Sequence, residues 1–437
     1  MAGDAGRGAT LNAPTSLAAA HTLDAADPLR AFRERFAQPV ARGGGTRTIY
    51  LCGHSLGLAP LAARDIVIGD MDAWERLGVL GHVEGARPWI DYAERLRPAL
   101  APLVGAQPAD VLVANGLTVN LHLLLAGFYR PQGRRNRILI EAGAFSSDRH
   151  AVASQIQARG LDPAEALIEV APPPGRDVLD PDHIDAAIAA AGDRLALVLW
   201  PGVQFRTGQA FDCARISRAA HAVGAWAGFD HAHAIGNLPI DVMRDDADFA
   251  AWCSYKYLNA GPGAVAGLFV HPRHAGRSHL AGWWGHDPAT RFRMEPGFVA
   301  APGAAGWALG TPPILSSAPL VASLALFAAA GIGALRRKSV ALTGSLEALL
   351  VTRAAGRVQI VTPADPAQRG CQLSLRLRGP DPAAAARRAF AALAARDVVC
   401  DLREPDILRV APVPLYNGFE DTWLFVEALL DALGDAP

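Results

Sequence analysis

Apolar runs of strand length alternate with alanine- and leucine-rich stretches of helical length between residues 111 and 270. The apolar runs predict strands at 111–113, 137–140, 195–200, 225–229, 249–253 and 264–270. The intervening stretches predict helices at 151–159, 182–192 and 213–223. This alternation is typical of crossover units, in which helices cover both faces of a mostly parallel sheet. The chain is therefore predicted to be an α/β protein whose ligands bind at the carboxyl ends of the strands.

The pattern changes after about residue 311. A helical region at 318–352 precedes short strands at 358–361 and 372–377, a helix at 382–396 and a strand around 398–400, which together predict a smaller α+β domain. A chain of 437 residues exceeds the usual size of one core. We therefore predict a disordered tail at 1–20, a segment at 21–60 packing with the small domain, a large domain at 61–310 and the small domain at 311–437.

Composition excludes several classes of protein. A formal net charge of −1 argues against a nucleic-acid partner or a polybasic membrane contact. The five cysteines show no CxxC spacing, which favours free thiols in a reducing cytosol over disulfides or a zinc site. Residues 1–20 lack the apolar core of a signal peptide. The uncharged run 318–335 contains Pro319 and two glycines, which favours a buried helix over a membrane span. We expect a cytoplasmic protein that binds neither nucleic acid nor membrane.

Lysine is rare in this chain: Lys256 and Lys338 are the only two among 41 basic residues. A lysine amine can lose its proton and form a Schiff base with a carbonyl, whereas a guanidinium stays protonated. Lys338 lies in the basic segment 335–339 and is interpreted as an ordinary helix-end charge. Lys256 lies between Tyr255 and Tyr257, close to a Gly-Pro-Gly turn. A functional amine and a genome that avoids lysine codons remain equally open explanations at this point.

Asp230 ends the predicted strand at 225–229 and precedes Lys256 by 26 residues. A buried carboxylate there could hold the protonated ring nitrogen of pyridoxal phosphate (PLP). A lone aspartate at a strand end is more often a helix cap or a turn residue, but its spacing to Lys256 favours the ionic role. His233 follows three residues later, where a core histidine is the simpler alternative.

Three further features are weak when taken singly. Residues 115–120 follow a strand and open a helix, so backbone N–H groups and the Thr118 hydroxyl could bind a phosphate, although threonine is also an ordinary N-cap. Phe145 follows the next strand and could stack on a ring, or could be a core phenylalanine. Arg409 could clamp a carboxylate with two hydrogen bonds, or could be one solvated arginine among many.

These residues belong to nine segments that, in this order, resemble the kynureninase family. The segments are 50–57, 81–82 with 87–89, 115–122, 145–150, 229–234, 252–259, 282–286, 312–314 and 409–417. The lysine segment alone would indicate only a PLP-binding fold. The resemblance implies the PLP-dependent transferase-like fold (fold type I), with a mostly parallel seven-stranded sheet in the large domain and a smaller α+β domain.

The resemblance also implies an activity. A PLP-dependent hydrolase of C–C bonds in ketonic substances would cleave L-kynurenine, and 3-hydroxy-L-kynurenine, to anthranilate or 3-hydroxyanthranilate and L-alanine. This reaction serves tryptophan catabolism through the kynurenine pathway and pyridine nucleotide (NAD) biosynthesis. The implied assembly is a homodimer with shared active sites.

The resemblance assigns roles to individual residues. Lys256 links covalently to the cofactor and moves protons, and Tyr255 contacts the phosphate and donates a proton. Asp230 pairs with the ring nitrogen. The other implied cofactor-binding residues are Leu117, Thr118, Phe145, Ser146, Ser147, Asp148 and His233, with Trp283 and Thr311 supplied by the neighbouring subunit. The implied substrate-binding residues are Arg409 for the carboxylate, His82 in the aryl pocket, and Gly310 and Thr311.

The chain departs from the family pattern at two positions. Pro201 replaces a hydroxyl that some relatives offer, and Thr311 replaces the asparagine of animal relatives. Gly310 and Thr311 bear on substrate preference, and we expect the preference for plain kynurenine that the resemblance implies for bacterial members of the family. Two other functions remain as alternatives. A PLP aminotransferase or desulfurase-like lyase would release a keto acid or sulfide and would not require Trp283. A catalytically silent binder is disfavoured because the lysine, aspartate and arginine positions are all filled.

Overall fold

The computed structural model describes residues 14–42 and 47–434. They form two compact units: a large unit of residues 59–205 and 210–329, and a small unit of the described residues up to 58, with 206–209 and 330–434. Of the predicted tail at 1–20, the first 13 residues lie outside the described residues. The helix Leu17–Ala26 begins within the rest of it, and its N-cap, Ser16, accepts a hydrogen bond from the Ala19 amide. The predicted domain boundaries at residues 60 and 311 stay a prediction.

A seven-stranded sheet forms the centre of the large unit and confirms the mostly parallel sheet expected. In spatial order its strands are Val111–Val113, Gly267–Val270, Phe249–Trp252, Trp226–Asp230, Leu195–Pro201, Arg137–Glu141 and Leu167–Val170. Gly267–Val270 is antiparallel to the strands on both of its sides, and the other neighbouring strands pair in parallel. The edge strand Leu167–Val170 was not predicted, because half-buried and exposed side chains interrupt its apolar character.

Helices cover this sheet because each parallel crossover needs a connection long enough to return to the same end. The helix Leu117–Phe128 is strongly apolar and buries Leu121, Leu124 and Phe128 in the main core against the sheet. The α-helices of the large unit are Leu61–Leu77, Tyr92–Leu100, Leu117–Phe128, Ser146–Gln157, Pro163–Ala166, Pro181–Ala191, Cys213–Ala222 and Ile314–Ala330, whose last residue falls in the small unit.

The small unit contains a four-stranded antiparallel sheet. Its strands in spatial order are Asp401–Arg403, Ile407–Val410, Leu373–Leu377 and Val358–Ile360. The N-terminal segment joins this unit through a parallel pair in which Ile49–Tyr50 lies beside Val398–Val399. Its α-helices are Leu17–Ala26, Ile332–Arg353, Pro382–Ala394 and Phe419–Leu433.

The helical region predicted at 318–352 is two helices rather than one. The chain breaks at Gly331, whose φ of 74° lies in the left-handed region that glycine adopts without steric cost. Within residues 14–42 and 47–434, no single helix is long and apolar enough to cross a membrane. The helices Ile314–Ala330 and Ile332–Arg353 are long and apolar enough only when they are taken together, and the chain bends between them.

The interpretation of Lys338 as a helix-end surface charge is wrong. Lys338 lies inside the helix Ile332–Arg353, and its Nζ is 2.7 Å from Asp27 Oδ2, with both side chains more than nine-tenths buried. Aspartate and lysine are almost never fully buried unless they are paired, so this contact explains why both tolerate the interior. The second lysine of the chain therefore belongs to a buried ion pair that stabilises the fold.

Candidate active site

Lys256 lies in a tight turn that follows the strand Phe249–Trp252 of the large unit. Its backbone carbonyl accepts a hydrogen bond of 3.0 Å from the Asn259 amide, and Asn259 adopts a left-handed φ of 53°. The side chain is buried, and Nζ lies 5.7 Å from the ring centroids of both Phe145 and Tyr255. The turn thus holds a buried amine between two aromatic rings.

Asp230 is the last residue of the central strand Trp226–Asp230, where the carboxyl ends of parallel strands meet. In the sheet register it lies beside Pro201 on one neighbouring strand and Ala251 on the other. Its Oδ1 accepts a hydrogen bond of 2.7 Å from the Ala232 amide, which fixes the carboxyl group. The ligand-binding edge of the sheet is therefore occupied by a buried acid.

Asp148 joins Asp230 in this buried site. It lies in the first turn of the helix Ser146–Gln157, and its Oδ1 has no hydrogen-bond partner among the described residues. Burial raises the pKa of Asp148, and the neighbouring Asp230 raises it further; burial also raises the pKa of Asp230, which Lys256 opposes. Two carboxyl groups close together in a desolvated site favour holding a proton between them. Such a pair is suited to receive an N–H donor from a ligand.

Glu141 is a third acid at this edge and was missed from the sequence. It ends the strand Arg137–Glu141, and burial raises the pKa of its carboxyl to about 8, with a smaller contribution from Asp230. A small cavity is lined by Glu141, Phe145, Asp148, Asp230 and His233, among others. The sequence could have indicated Glu141, because this acid directly follows the predicted strand 137–140, just as Asp230 directly follows the predicted strand 225–229.

The N-termini of two helices lie together at the same site. Thr118, in the first turn of Leu117–Phe128, and Ser147, in the first turn of Ser146–Gln157, place their hydroxyl oxygens 2.6 Å apart. The first-turn N–H groups of a helix have no partner within the helix, and together with the helix dipole they attract anions. These two helix N-termini thus form a candidate phosphate-binding site, which contains four of the predicted residues: Leu117, Thr118, Ser146 and Ser147.

The other predicted residues of the large unit lie in varied settings. Tyr255 is half-buried, and burial raises the pKa of its phenol. His82 ends a 3₁₀ helix and packs its ring edge-on against Trp89, with 5.2 Å between centroids. Trp283 is 43% exposed and packs against Trp284 and Phe292, whereas Gly310 and Thr311 lie exposed before the helix Ile314–Ala330.

Arg409 belongs to the small unit and not to the unit that holds Lys256. It lies in the strand Ile407–Val410, inside the four-stranded sheet, and is completely buried. Its Nη2 donates hydrogen bonds to Asp401 Oδ2 and, at 3.1 Å, to Ser55 Oγ. The alternative of a solvated arginine is thereby excluded. Asp401 was missed from the sequence, because its strand Asp401–Arg403 was not predicted.

Comparison with known proteins identifies close relatives. The family described as "Kynureninase C-terminal domain" matches residues 335–429. Proteins named kynureninase from Xanthomonas campestris pv. campestris strain B100 and Xanthomonas axonopodis pv. citri strain 306 are 56% and 55% identical to this chain. Each match spans 416 residues, 95% of this chain and 97% of the relative.

Solved structures with the same fold are more distant in sequence. A C-DES variant with glycine covalently linked to its PLP cofactor has a TM-score of 0.72 at 20% identity, over 91% of this chain and 98% of that one. The cysteine desulfurase CsdA from Escherichia coli has a TM-score of 0.72 at 20% identity, over 93% and 98% of the two chains. These likenesses show the PLP-dependent fold type I.

The large-unit residues fit PLP on chemical grounds. The unpartnered Asp148 Oδ1 and its neighbour Asp230 offer acceptors for a protonated ring nitrogen. The paired helix N-termini suit a phosphate dianion. The Phe145 ring, 38% exposed beside the Lys256 amine, offers an aromatic face. Each functional group of the cofactor therefore has a matching group in this unit.

Proposed function

The chain belongs to the kynureninase family, and we infer from this membership that it hydrolyses L-kynurenine to anthranilate and L-alanine in tryptophan catabolism. It uses PLP as its cofactor. The desulfurase-like alternative has weaker support, because the cysteine desulfurase shares the fold at only 20% identity. The observation that carries the proposed site is the buried Lys256 amine close to the Asp148–Asp230 carboxyl pair.

Bound PLP supplies an aldehyde that links to amines and a ring that withdraws electrons from the bonds of an attached amino acid. Lys256 is the amine that would hold it, and its Nζ is the base that would take the proton from the substrate Cα. Its burial between Phe145 and Tyr255 supports this role, since the two rings shield the amine from water and leave it next to the site where the cofactor would bind.

Asp230 keeps a proton on the cofactor ring nitrogen, with Asp148 and His233 beside it. A carboxyl pair that shares one proton supports the role, because its one negative charge can accept the N–H bond of the ring and balance the positive charge there. Phe145 would offer its aromatic face to the ring. Leu117, Thr118, Ser146, Ser147 and Tyr255 hold the phosphate end.

Tyr255 returns a proton to the substrate Cβ after water has been added and the bond between Cβ and Cγ has broken. It is one of the two aromatic neighbours of Lys256 in the chain, its ring centroid lies 5.7 Å from the amine, and its phenol, whose pKa burial raises, carries a proton at neutral pH. A protonated phenol close to the reacting amine is a competent proton donor.

Arg409 binds the α-carboxylate of kynurenine, His82 lines the aryl pocket, and Gly310 with Thr311 sets the preference for kynurenine over 3-hydroxykynurenine. The complete burial of Arg409 supports the first assignment, since a desolvated guanidinium binds a carboxylate more strongly than an exposed one does. Hydrolysis of 3-hydroxykynurenine is the secondary activity in this proposal.

The enzyme acts as a cytoplasmic homodimer in which Trp283 and Thr311 complete the cofactor site of the neighbouring subunit. Exposed large apolar side chains around Trp283 support a protein contact there, at Leu280, Phe292, Met294, Phe298 and Val299. The free thiols of all five cysteines support a reducing compartment.

Incubation of the PLP-loaded enzyme with L-kynurenine tests the function. Anthranilate is followed by its fluorescence and L-alanine by amino-acid analysis, and we expect the two products in equal amounts. A keto acid in place of alanine would support an aminotransferase instead, and absence of both anthranilate and a keto acid would overturn the proposed activity.

A further inference from the structure

Asp401 holds Arg409 in the small unit through a closed triangle of hydrogen bonds. Arg409 Nη2 donates to Asp401 Oδ2 and to Ser55 Oγ, and Ser55 Oγ donates to the same Asp401 oxygen at 2.6 Å. Charge-assisted hydrogen bonds of this kind are strong and directional. Two oxygen atoms therefore fix one end of a guanidinium that is itself completely buried.

Two further side chains surround Asp401. Arg403 Nη2 lies 3.0 Å from Asp401 Oδ2, and His54 Nε2 lies 3.6 Å from the same atom. Burial, reinforced by the positive charge of Arg409, lowers the pKa of His54 to about 3, so its imidazole is neutral. Burial alone would raise the pKa of Asp401. The neighbouring His54, Arg409 and Ser55 oppose this and hold the pKa of Asp401 well below its usual range. Two guanidinium groups and one carboxylate leave the cluster with a net positive charge.

This cluster is better suited to an arginine than to a metal ion. The ligand atoms of Cys52, His54 and Asp401 lie within 4.8 Å of one another, as they would around a cation. However, the Asp401 oxygen already accepts from two guanidinium groups, whose charge repels a cation. Burial also raises the pKa of the Cys52 thiol to about 11, which disfavours the thiolate that a metal requires.

We propose that Asp401 is a positioning residue for substrate binding, which fixes the guanidinium of Arg409 in the orientation that receives the α-carboxylate of L-kynurenine. Ser55 holds Asp401 in turn through its hydrogen bond of 2.6 Å. The inference rests on the proposed role of Arg409. It explains why an acid lies beside a carboxylate-binding arginine: Arg403 supplies a second positive charge, so Asp401 can orient Arg409 without neutralising the site.

Asp401→Asn tests this role in the PLP-loaded enzyme. A hydrogen bond to a charged group is worth about 1.5–3 kcal/mol, so we expect KM for L-kynurenine to rise about 10- to 100-fold while kcat changes much less. Inhibition by L-alanine, which carries the α-carboxylate, weakens by a similar factor. Inhibition by 2-aminoacetophenone, which keeps the aryl ketone but lacks that carboxylate, stays unchanged.

Asp406→Asn is the matched control. Asp406 lies in the same unit, accepts from Arg206 at 2.7 Å and Arg376 at 2.5 Å, and has a side-chain exposure of 16% against 14% for Asp401. It should leave KM for kynurenine unchanged. Equal effects of the two substitutions, or an equal loss of alanine and 2-aminoacetophenone binding in Asp401→Asn, would overturn the proposal.

Arg409→Lys separates the two levels of inference. If it leaves KM unchanged, the proposed role of Arg409 fails; if it raises KM while Asp401→Asn does not, only the positioning role fails. Should Asp401→Asn not fold, Asp401→Glu takes its place, because it keeps the charge but moves the oxygens by one methylene. It should show the same selective loss of alanine binding, and unaltered alanine binding there would contradict the proposal.

Discussion

The Nζ atom of Lys256 lies 5.7 Å from the centroid of the Phe145 ring, with the amine buried and the ring 38% exposed. The two residues follow different strands of the sheet, so the fold and not the local sequence brings them together. A cation over an aromatic face would be satisfied equally by arginine. The reactivity of the amine is therefore the property that distinguishes lysine at this position.

Lys256→Arg should lower the rate of anthranilate formation by about 10³-fold or more, because it keeps the charge but removes the nucleophile and the proton carrier. Anthranilate fluorescence under saturating kynurenine measures the effect. Lys338→Arg is the control, since it makes the same change at the other lysine, and it should retain turnover in the folded protein. Full activity of Lys256→Arg would refute the assignment of Lys256.

Glu141→Gln should stabilise the protein at neutral pH. Burial raises the pKa of Glu141 to about 8, so the folded state keeps its proton between about pH 4.5 and 8 while the unfolded state loses it. The wild type therefore loses stability as pH rises through this window, by about 3 kcal/mol at pH 7. Glutamine mimics the protonated acid and avoids that cost.

Thermal unfolding of both proteins between pH 4 and pH 9 checks the effect of Glu141→Gln. The advantage of the variant should be small at pH 4 and grow until about pH 8. An advantage that stays constant across this range would mean that Glu141 does not change its protonation on unfolding.

The sequence predicted the sheet of the large unit well because its strands are buried on both faces. Such strands are continuous apolar runs, as at Leu195–Pro201, where six of seven residues are buried. The strand Ile407–Val410 was missed although all four residues are buried, since it contains Arg409 in its interior. A charged residue inside a core strand is interpretable only when its partner is known, and Asp401 is brought to it by the sheet register.

The residues of the proposed site also fall into those that local sequence could indicate and those that it could not. Asp230 and Phe145 could be proposed because each follows or ends an apolar run, a local property of the sequence. The raised pKa of Glu141 and the pairing of Asp401 with Ser55 depend on contacts between distant segments; the second joins residues 346 positions apart. The wrong interpretation of Lys338 has the same origin, because its partner Asp27 lies more than 300 residues earlier.

Lys338→Met should destabilise the small unit by about 3–5 kcal/mol, because it leaves the Asp27 carboxylate buried without a counter-charge. The double variant Lys338→Met with Asp27→Leu should recover most of this loss, since an apolar pair can replace a buried ion pair at little cost. A double-mutant cycle measures this, in which the free energy of unfolding by denaturant is determined for the wild type, both single variants and the double variant. Additive losses in the double variant would mean that the two groups do not interact.

A second buried charge cluster, in the large unit, links stability to pH. Asp248 is completely buried and accepts hydrogen bonds from His221 Nε2 at 2.8 Å, His274 Nε2 at 2.7 Å and Arg273 Nη2 at 2.6 Å. Asp246 lies 3.1 Å from His221 Nδ1. The hydrogen bond to Asp248 raises the pKa of His221, and although burial raises the pKa of Asp248, its partners hold it far below the usual range.

The sign of the pH dependence follows from these shifts. The contribution of His221 is complete below its unfolded pKa of about 6.5 and is lost as pH rises through the folded value. His221→Gln keeps a side-chain N–H donor but cannot be protonated, so it should be less stable than wild type by about 1–2 kcal/mol at pH 5.5. Thermal unfolding should show this difference shrinking towards pH 9, whereas His183→Gln, at an exposed helix position, should show no such trend. A difference for His221→Gln that is as large at pH 9 as at pH 5.5 would mean that the ring packs in the cluster as a neutral group, and that its protonation contributes nothing to stability.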